Sequence, residues 1–422
     1  MCGQAMTTPS ALERFDVSTS FATSVSPAAS PARVASIDIF RGLTILVMIF
    51  VNDLSSVHGL PWWTYHAHAE QDAMTYVDMV FPFFLFIVGM SMPLAVTQRL
   101  KRNASMVSLW LHVLSRSAGL VVLGLILANA EKADSVRMGL NANMWALLGL
   151  TGAVLFWFAP SPEQRQSAIF RWLRLAGLAL LVLTFALFRR TSGPHPGVWI
   201  DGSYPEILGL IGYTYLAVSI LYISSRRWVW APLAWMVALS TLCAVLAAHH
   251  VRLRVPLYFW PFNSGAMASI TMAGVVMSAI FFGAHRWQSL AQRMRLAFAF
   301  AAAMLLAAWL LTPLGISKIR ATPTWCLYSS AAAALCFALL YWVCDVKKKT
   351  AWAQLVWPAG ANTLLTYLLP DFYFFLTALA GFTFIDQHFS NGALGVARSV
   401  VFTLVMLLCA ALLTRARIRM QL

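Results

Sequence analysis

The chain has 422 residues, of which 60% are hydrophobic and only 11% are charged. Soluble globular domains are about 45–50% apolar and about 25% charged, so this chain has too little polar surface to cover a soluble core. The formal net charge of +15 is best explained by basic residues on the cytoplasmic loops of a membrane protein. We therefore predict an all-α integral membrane protein whose surroundings are the lipid bilayer, with no nucleic-acid partner.

Residues 1–35 are rich in Ser, Thr, Ala and Pro and contain no apolar core. This composition predicts a disordered cytoplasmic tail. No basic segment followed by an apolar stretch occurs there, so we expect no cleavable signal peptide. Residues 36–422 are predicted to form a single transmembrane domain.

The rest of the chain is divided into apolar runs of about 20 residues, the length at which a helix crosses a bilayer. They predict twelve transmembrane helices, at about 36–56, 74–97, 107–130, 139–159, 168–188, 205–223, 228–248, 265–284, 294–312, 325–345, 351–370 and 393–414. The eleventh run is interrupted by Pro358, Gly360 and Pro370. A long broken helix and a span followed by a re-entrant segment both stay open there, and so does a total of eleven spans.

The distribution of charge predicts the orientation. With the N-terminus in the cytoplasm, 19 basic residues fall on cytoplasmic loops, 8 on outer loops and 3 inside spans. This bias predicts that both termini are cytoplasmic, and a bacterial inner membrane is the expected location. Ten of the 15 acidic residues lie on or near the outer side, which favours a cationic or amine-bearing substrate, although exclusion of basic residues explains the same bias.

The densest polar cluster is the first outer loop, which contains the side chains best suited to chemistry: His58, His66, His68, Glu70, Asp72 and Asp78. Histidine titrates near neutral pH and so suits proton or acyl transfer, and a neighbouring carboxylate can orient its ring. Asp78 begins an otherwise apolar helix, where an ionisable group needs polar partners. The spacing of His66 and His68 is weak evidence for a metal ion, so no metal site is assigned. A solvated loop without catalytic function is the alternative.

The first predicted helix carries a second pair of charges. Asp38 and Arg41 are three residues apart and share one helix face, where they can form an ion pair. The alternative is that the Arg41 side chain only extends to the inner membrane interface.

Two segments are recognisable at this point: IDIFRGLTILVMIFVND (37–53) and HAEQDAMTYVDMVFPFFLFIVGMSMPLA (68–95). They resemble the heparan-α-glucosaminide N-acetyltransferase-like family of membrane proteins. Residues 206–222, 318–346 and 358–369 resemble the same family, so the similarity extends over most of the chain.

The resemblance implies a transmembrane acetyltransferase that uses cytosolic acetyl-CoA as co-substrate and acetylates an amino sugar or glycan across the membrane. The family's essential histidine precedes the Asp of an Asp-x-Val-Phe-Pro motif by ten residues, which corresponds to His68. Asp78 or Asp72 is then expected to orient its ring, and Asn52 matches the family's Asn at the end of the first motif. Whether the histidine acts as general base or as nucleophile stays open.

The acetyl-CoA site is predicted from basic residues at the cytoplasmic ends of the helices. Arg99, Lys101 and Arg102 are expected to bind the phosphates of CoA, although the positive-inside rule alone also explains each of them. Further binding residues are assigned within the motif segments: Asn52, Asp53, Asp38, Arg41 and Asn362.

The sequence also departs from the family pattern. Ala73 replaces a common Gly, and Leu208-Gly209-Leu210 stands where the family has Leu-Gln-Arg, which leaves the acceptor open. An O-acyltransferase of cell-envelope glycans, a twelve-helix transporter and a non-enzymatic scaffold stay as alternatives. A homodimer also stays open.

Overall fold

The structure is a computed structural model that describes residues 34–102, 105–159, 167–191, 197–249, 264–283 and 289–420. Most of the predicted tail, residues 1–33, lies outside the described residues. The same is true of several basic residues used to predict the topology: Arg14, Arg33, Arg165, Arg252, Arg254 and Arg286.

From Ala35 onward the described residues form a helical bundle joined by loops, which confirms the all-α prediction. The long helices are α1 (Ala35–Leu54), α2 (Val77–Lys101), α3 (Met106–Ala130), α5 (Ala142–Phe156), α6 (Ala168–Leu187), α7 (Glu206–Ser225), α8 (Ala231–Ala248), α9 (Ala266–Phe282), α10 (Leu290–Leu310), α11 (Pro323–Leu340), α13 (Thr363–Leu379) and α15 (Gly392–Arg415). Short helices connect them: α4 (Ser135–Met138), α12 (Trp357–Ala361) and α14 (Phe384–His388).

Within the described residues, nine helices are long and apolar enough to cross a membrane. Three shorter apolar helices, α5, α9 and α13, occupy the positions of three further predicted runs. The protein is therefore an integral membrane protein of many spans. The total of twelve crossings and the cytoplasmic termini stay predictions.

The eleventh run differs from its predicted bounds of 351–370. The chain forms the short helix α12, breaks at Asn362, and then forms α13, which extends to Leu379. Pro358 lies in the first turn of α12, where proline is favoured. The Asn362 side chain binds the C-terminal segment, since its Nδ2 donates to the carbonyl of Ile418 at 2.9 Å and its Oδ1 accepts from the amide of Met420 at 3.3 Å. The helical run is thus broken at Asn362, and Pro370 lies inside α13.

Helices α2 and α9 form the centre of the bundle, and α9 is buried along nearly its whole length. Two glycines allow their backbones to approach closely. A β-carbon placed on Gly274 would lie 2.0 Å from the carbonyl oxygen of Phe86, and one on Gly89 would lie 1.8 Å from that of Thr271. Small residues at such crossings are typical of helix packing in membranes. Helix α2, whose second residue is Asp78, is therefore held firmly in the bundle.

For the description of the site, the inner end of the bundle is the end where α1 begins and α2 ends. The outer end is the opposite one, where the loop after α1 lies. The inner end is the one predicted to face the cytoplasm.

Candidate active site

The carboxylate of Asp78 is the centre of the hydrogen-bond network at the outer end. It is buried at the start of α2. One oxygen lies 2.7 Å from Nδ1 of His66, and the other accepts from the amides of Thr75 at 3.0 Å and Ala67 at 3.3 Å and from the Thr75 hydroxyl at 3.3 Å. The N-terminus of a helix also favours a negative charge. These partners offset the cost of burying the charge and fasten the loop onto α2.

The His66 ring contacts both Asp78 and Lys318. A neutral imidazole has one donor and one acceptor nitrogen. Since Nδ1 faces the Asp78 carboxylate, which only accepts, Nδ1 carries the proton and Nε2 is the acceptor. The Nζ atom of Lys318 lies 3.4 Å from both ring nitrogens, so it contacts the ring but is not in line with the Nε2 lone pair. His66 therefore bridges Asp78 and Lys318.

Lys318 lies on the loop that precedes α11, and sequence reasoning assigned it no role. Burial lowers the pKa of its ammonium group, and the carboxylates of Asp78 and Glu206 oppose that effect. The contact with His66 places this side chain beside the loop, near the carboxylates of Asp78 and Glu206. The only signal in the sequence was its position in a segment that resembles the family.

His68, the predicted catalytic residue, lies two residues further along the same loop and is exposed. Its amide donates to Oε1 of Gln71 at 3.2 Å, and its carbonyl accepts from the amide of Gln71 at 3.1 Å. Its ring has no hydrogen-bond partner among the described residues. Because consecutive Cα atoms are 3.8 Å apart, the Cα atoms of His66 and His68 are at most about 7.6 Å apart.

The structure does not bring the three predicted catalytic residues together as expected. Asp78 contacts His66 rather than the ring of His68, and Asp72 forms an ion pair with Arg320. The hydrogen bond from Arg320 lowers the pKa of Asp72. This ion pair and the contact between Lys318 and His66 join the first outer loop to the loop before α11.

A cavity of about 550 Å³ lies at the outer end beside these loops. Its polar lining is formed by His66, Ser203, Tyr204 and Lys318, and Trp325 contributes to its apolar wall. His68 is not among the residues that line it. The cavity is large enough for a sugar-sized molecule, since small-molecule sites typically measure about 300–1,000 Å³.

A second cavity, of about 330 Å³, extends from the inner end. Its polar lining includes the guanidinium groups of Arg41 and Arg116 and the imidazole of His112. The Arg41 guanidinium donates to Ser91 Oγ at 2.6 Å and pairs with Asp38 at 3.5 Å. The predicted pairing of Asp38 with Arg41 is therefore present.

Residues of the first turns of α7 line the two cavities in alternation. Ile207 and Leu210 line the outer cavity, whereas Leu208 and Ile211 line the inner one. Tyr367 of α13 also lines the inner cavity. A wall about one helix thick thus separates the inner cavity from the outer one.

The other predicted binding residues lie at several separate places. Lys101 lines an inner groove of about 430 Å³ together with Arg226 and Arg227, whereas Arg99 and Arg102 line neither this groove nor the two cavities described above. At the outer end, Asn52 and Asp53 line a small cavity of about 110 Å³.

Asp53 and Asn362 make structural contacts. The buried Asp53 carboxylate pairs with Arg398 at 3.2 Å and accepts from the Ser399 hydroxyl at 2.6 Å, which fastens the end of α1 to α15. Asn362 fastens the C-terminal segment, as described above.

Among the residues that the structure describes, no group of three His, Cys, Asp or Glu side chains is arranged to hold a metal ion.

Comparisons with known proteins find one matching family and two similar enzymes. Residues 33–236 match a family described as "Domain of unknown function (DUF5009)". The heparan-alpha-glucosaminide N-acetyltransferase of Homo sapiens is 39% identical over 101 residues, which are 24% of this chain and 14% of that protein. The enzyme of the same name from Mus musculus is 37% identical over 209 residues, which are 43% of this chain and 31% of that protein.

Over these segments the chain is similar to heparan-alpha-glucosaminide N-acetyltransferase. The family resemblance predicted from the motifs is therefore confirmed. The matched segments cover less than a third of the length of either relative.

The Asp78 network predicts the behaviour of an Asp78→Asn variant. Removal of the charge weakens the hydrogen bonds to the amides of Ala67 and Thr75, and a hydrogen bond to a charged group contributes about 1.5–3 kcal/mol. We expect both amides to exchange with deuterium about 10-fold faster or more, as measured by hydrogen-exchange mass spectrometry. Asp72→Asn is the matched control, because Asp72 contacts Arg320 and neither amide; equal exchange in both variants would contradict the role given to Asp78.

Proposed function

We propose that the protein is a membrane acetyltransferase of the bacterial inner membrane. It takes the acetyl group of acetyl-CoA at the inner end and transfers it to an amino sugar or glycan amine at the outer end. The observation that carries this proposal is the pair of cavities. One is basic and extends from the inner end, and the other lies beside the histidine loop at the outer end. The first turns of α7 separate the two cavities. The names of the two relatives support the reaction type.

The inner cavity is the proposed site of the acyl donor. CoA carries several phosphate groups, and guanidinium groups bind phosphates through charge-assisted hydrogen bonds. Arg41 and Arg116 place two such groups inside the bundle, with His112 beside them. The groove lined by Lys101, Arg226 and Arg227 adds positive charge nearer the inner surface, where the nucleotide end of CoA would lie.

His68 is the proposed reacting histidine. The family motif assigns the essential histidine to this position, and the geometry supports the assignment indirectly. A general base or nucleophile needs a free ring nitrogen. His66 is held by its hydrogen bond to Asp78 and by its contact with Lys318, whereas the ring of His68 has no hydrogen-bond partner among the described residues.

Two routes for the acetyl group follow from a free imidazole. As nucleophile, His68 attacks the thioester, gives its ring proton to the departing thiolate and forms acetyl-imidazole, which the acceptor amine then cleaves. As general base, His68 takes a proton from the attacking amine and passes it to the thiolate. In both routes the ammonium of Lys318 is near enough to the loop to stabilise negative charge on the carbonyl oxygen.

A pair of matched alanine variants tests this assignment. His68→Ala is expected to lower acetyl transfer from acetyl-CoA to glucosamine by at least about 100-fold, since general acid–base catalysis contributes about 10²–10⁴-fold. His66→Ala is expected to retain part of the activity, because it loosens the loop without removing the reacting ring. The measurement is the formation of radiolabelled product by purified protein. Loss of activity in His66→Ala with full activity in His68→Ala would move the reacting role to His66.

The donor site is tested by Arg116→Gln. Loss of one charge-assisted hydrogen bond of about 1.5–3 kcal/mol is expected to raise the Kd for acetyl-CoA about 10-fold or more. Ligand-dependent thermal stabilisation of the purified protein measures this Kd. Arg137→Gln is the control, because Arg137 lies in an ion pair with Asp134 at the outer end. Equal affinity in the Arg116 and Arg137 variants would exclude the inner cavity as the donor site.

A further inference from the structure

Glu206 lies at the boundary between the two cavities. It is the first residue of α7, and its chain neighbours Pro205 and Ile207 line the outer cavity. Its Oε1 accepts a hydrogen bond at 3.2 Å from the hydroxyl of Tyr367, which lines the inner cavity. No part of the catalytic scheme above uses this carboxylate.

The backbone of Glu206 is strained. Its φ angle is +57°, in the left-handed region that residues other than glycine rarely adopt. This conformation costs about 1–2 kcal/mol. Its Oε2 accepts from the amide of Leu208 at 3.0 Å, so the side chain folds back over the start of its own helix. Strain of this kind is often found at functional sites, and here the carboxylate lies between the two cavities, bonded to Tyr367 and to the Leu208 amide, without lining either cavity.

The proton balance of the proposed reaction requires a second acceptor. An amino sugar reaches the site mainly as an ammonium ion, whose nitrogen has no lone pair with which to attack. It must first lose one proton, and a second leaves as the amide forms. The second proton ends on the thiolate of CoA or on the imidazole of His68, depending on the route. The first proton has no acceptor in either route.

We propose that Glu206 accepts the first proton from the ammonium group of the acceptor. The carboxylate becomes a carboxylic acid, the ammonium becomes a neutral amine, and the amine attacks the acetyl carbonyl. This inference rests on the proposed function and adds a residue to it. The negative charge of Glu206 also favours an amine over a hydroxyl acceptor, because only the amine arrives as a cation.

The titratable groups around Glu206 are consistent with this role. Tyr367 and Asp371 face it from α13, Tyr204 from the preceding loop, and Lys318 from the loop before α11. Lys318 and the hydrogen bond from Tyr367 support the ionised form of Glu206, whereas its burial opposes a charge there. The two influences oppose each other, as suits a group that must both take up and release a proton.

The test is the pH dependence of Glu206→Gln, which keeps the size of the side chain and removes its basicity. At about pH 6, where glucosamine is an ammonium ion, we expect acetylation of glucosamine by acetyl-CoA to fall about 100-fold or more relative to the unaltered protein. At about pH 9, where the free amine is already present, the two proteins should differ by less than about threefold. Hydroxylamine, which is mostly unprotonated at neutral pH, should be acetylated about equally by both at pH 7.

Controls separate this inference from the proposed function. Glu131→Gln, at an exposed position after α3, should leave the whole pH profile unchanged. If the unaltered protein does not acetylate glucosamine at any pH, the proposed function fails for this acceptor. If it does, and Glu206→Gln has the same profile or loses activity equally at every pH, Glu206 is not the proton acceptor. Should Glu206→Gln not fold, Glu206→Asp takes its place, with a smaller loss confined to low pH expected.

Discussion

The carboxylate of Asp78 is the interaction on which the outer end of the protein depends. Helix α2 packs closely on α9 through Gly89 and Gly274. Asp78 holds the loop against this helix, because its carboxylate accepts hydrogen bonds from His66, Ala67 and Thr75. An unpaired carboxylate at this depth would be costly. The hydrogen bonds to Asp78 therefore favour the position of the loop against α2. The same contacts make His66 part of the scaffold and leave the ring of His68 available for chemistry.

The rest of the proposed mechanism depends on the wall that separates the inner cavity from the outer cavity. The basic inner cavity and the outer cavity share the first turns of α7, so a donor and an acceptor that bind from opposite ends are kept apart by about one helix. Only the acetyl group has to pass that wall. Glu206 and Tyr367 lie in it and share a hydrogen bond, and Glu206 is where we expect the proton of the acceptor to be taken up.

Much of the fold could be predicted from the sequence, because runs of about 20 apolar residues must be helical in lipid. Even the pairing of Asp38 with Arg41 followed from helix periodicity. The hydrogen-bond partners of Asp78 could not be predicted in this way, because helix periodicity gives no reason to prefer His66 over His68 when both lie on a loop. Lys318, Arg320 and Arg398 lie roughly 250–350 residues from their partners His66, Asp72 and Asp53, and such contacts depend on the packing of the whole bundle. An interruption of the eleventh run was predicted, but its position at Asn362 was not, because the partners of Asn362 belong to the C-terminal segment.

The most direct test of a transfer across the membrane uses sealed vesicles that contain the purified protein. Radiolabelled acetyl-CoA is added outside, and glucosamine is present either only inside or only outside. If the acetyl group crosses the wall, labelled N-acetylglucosamine should form when the two substrates are on opposite sides of the membrane, made by those molecules whose inner end faces the acetyl-CoA. Little product should form when both substrates are on the same side, whichever way the protein is inserted. Permeabilisation with detergent should restore the product in the second case. Product formed only when both substrates are on the same side of intact vesicles would contradict the account.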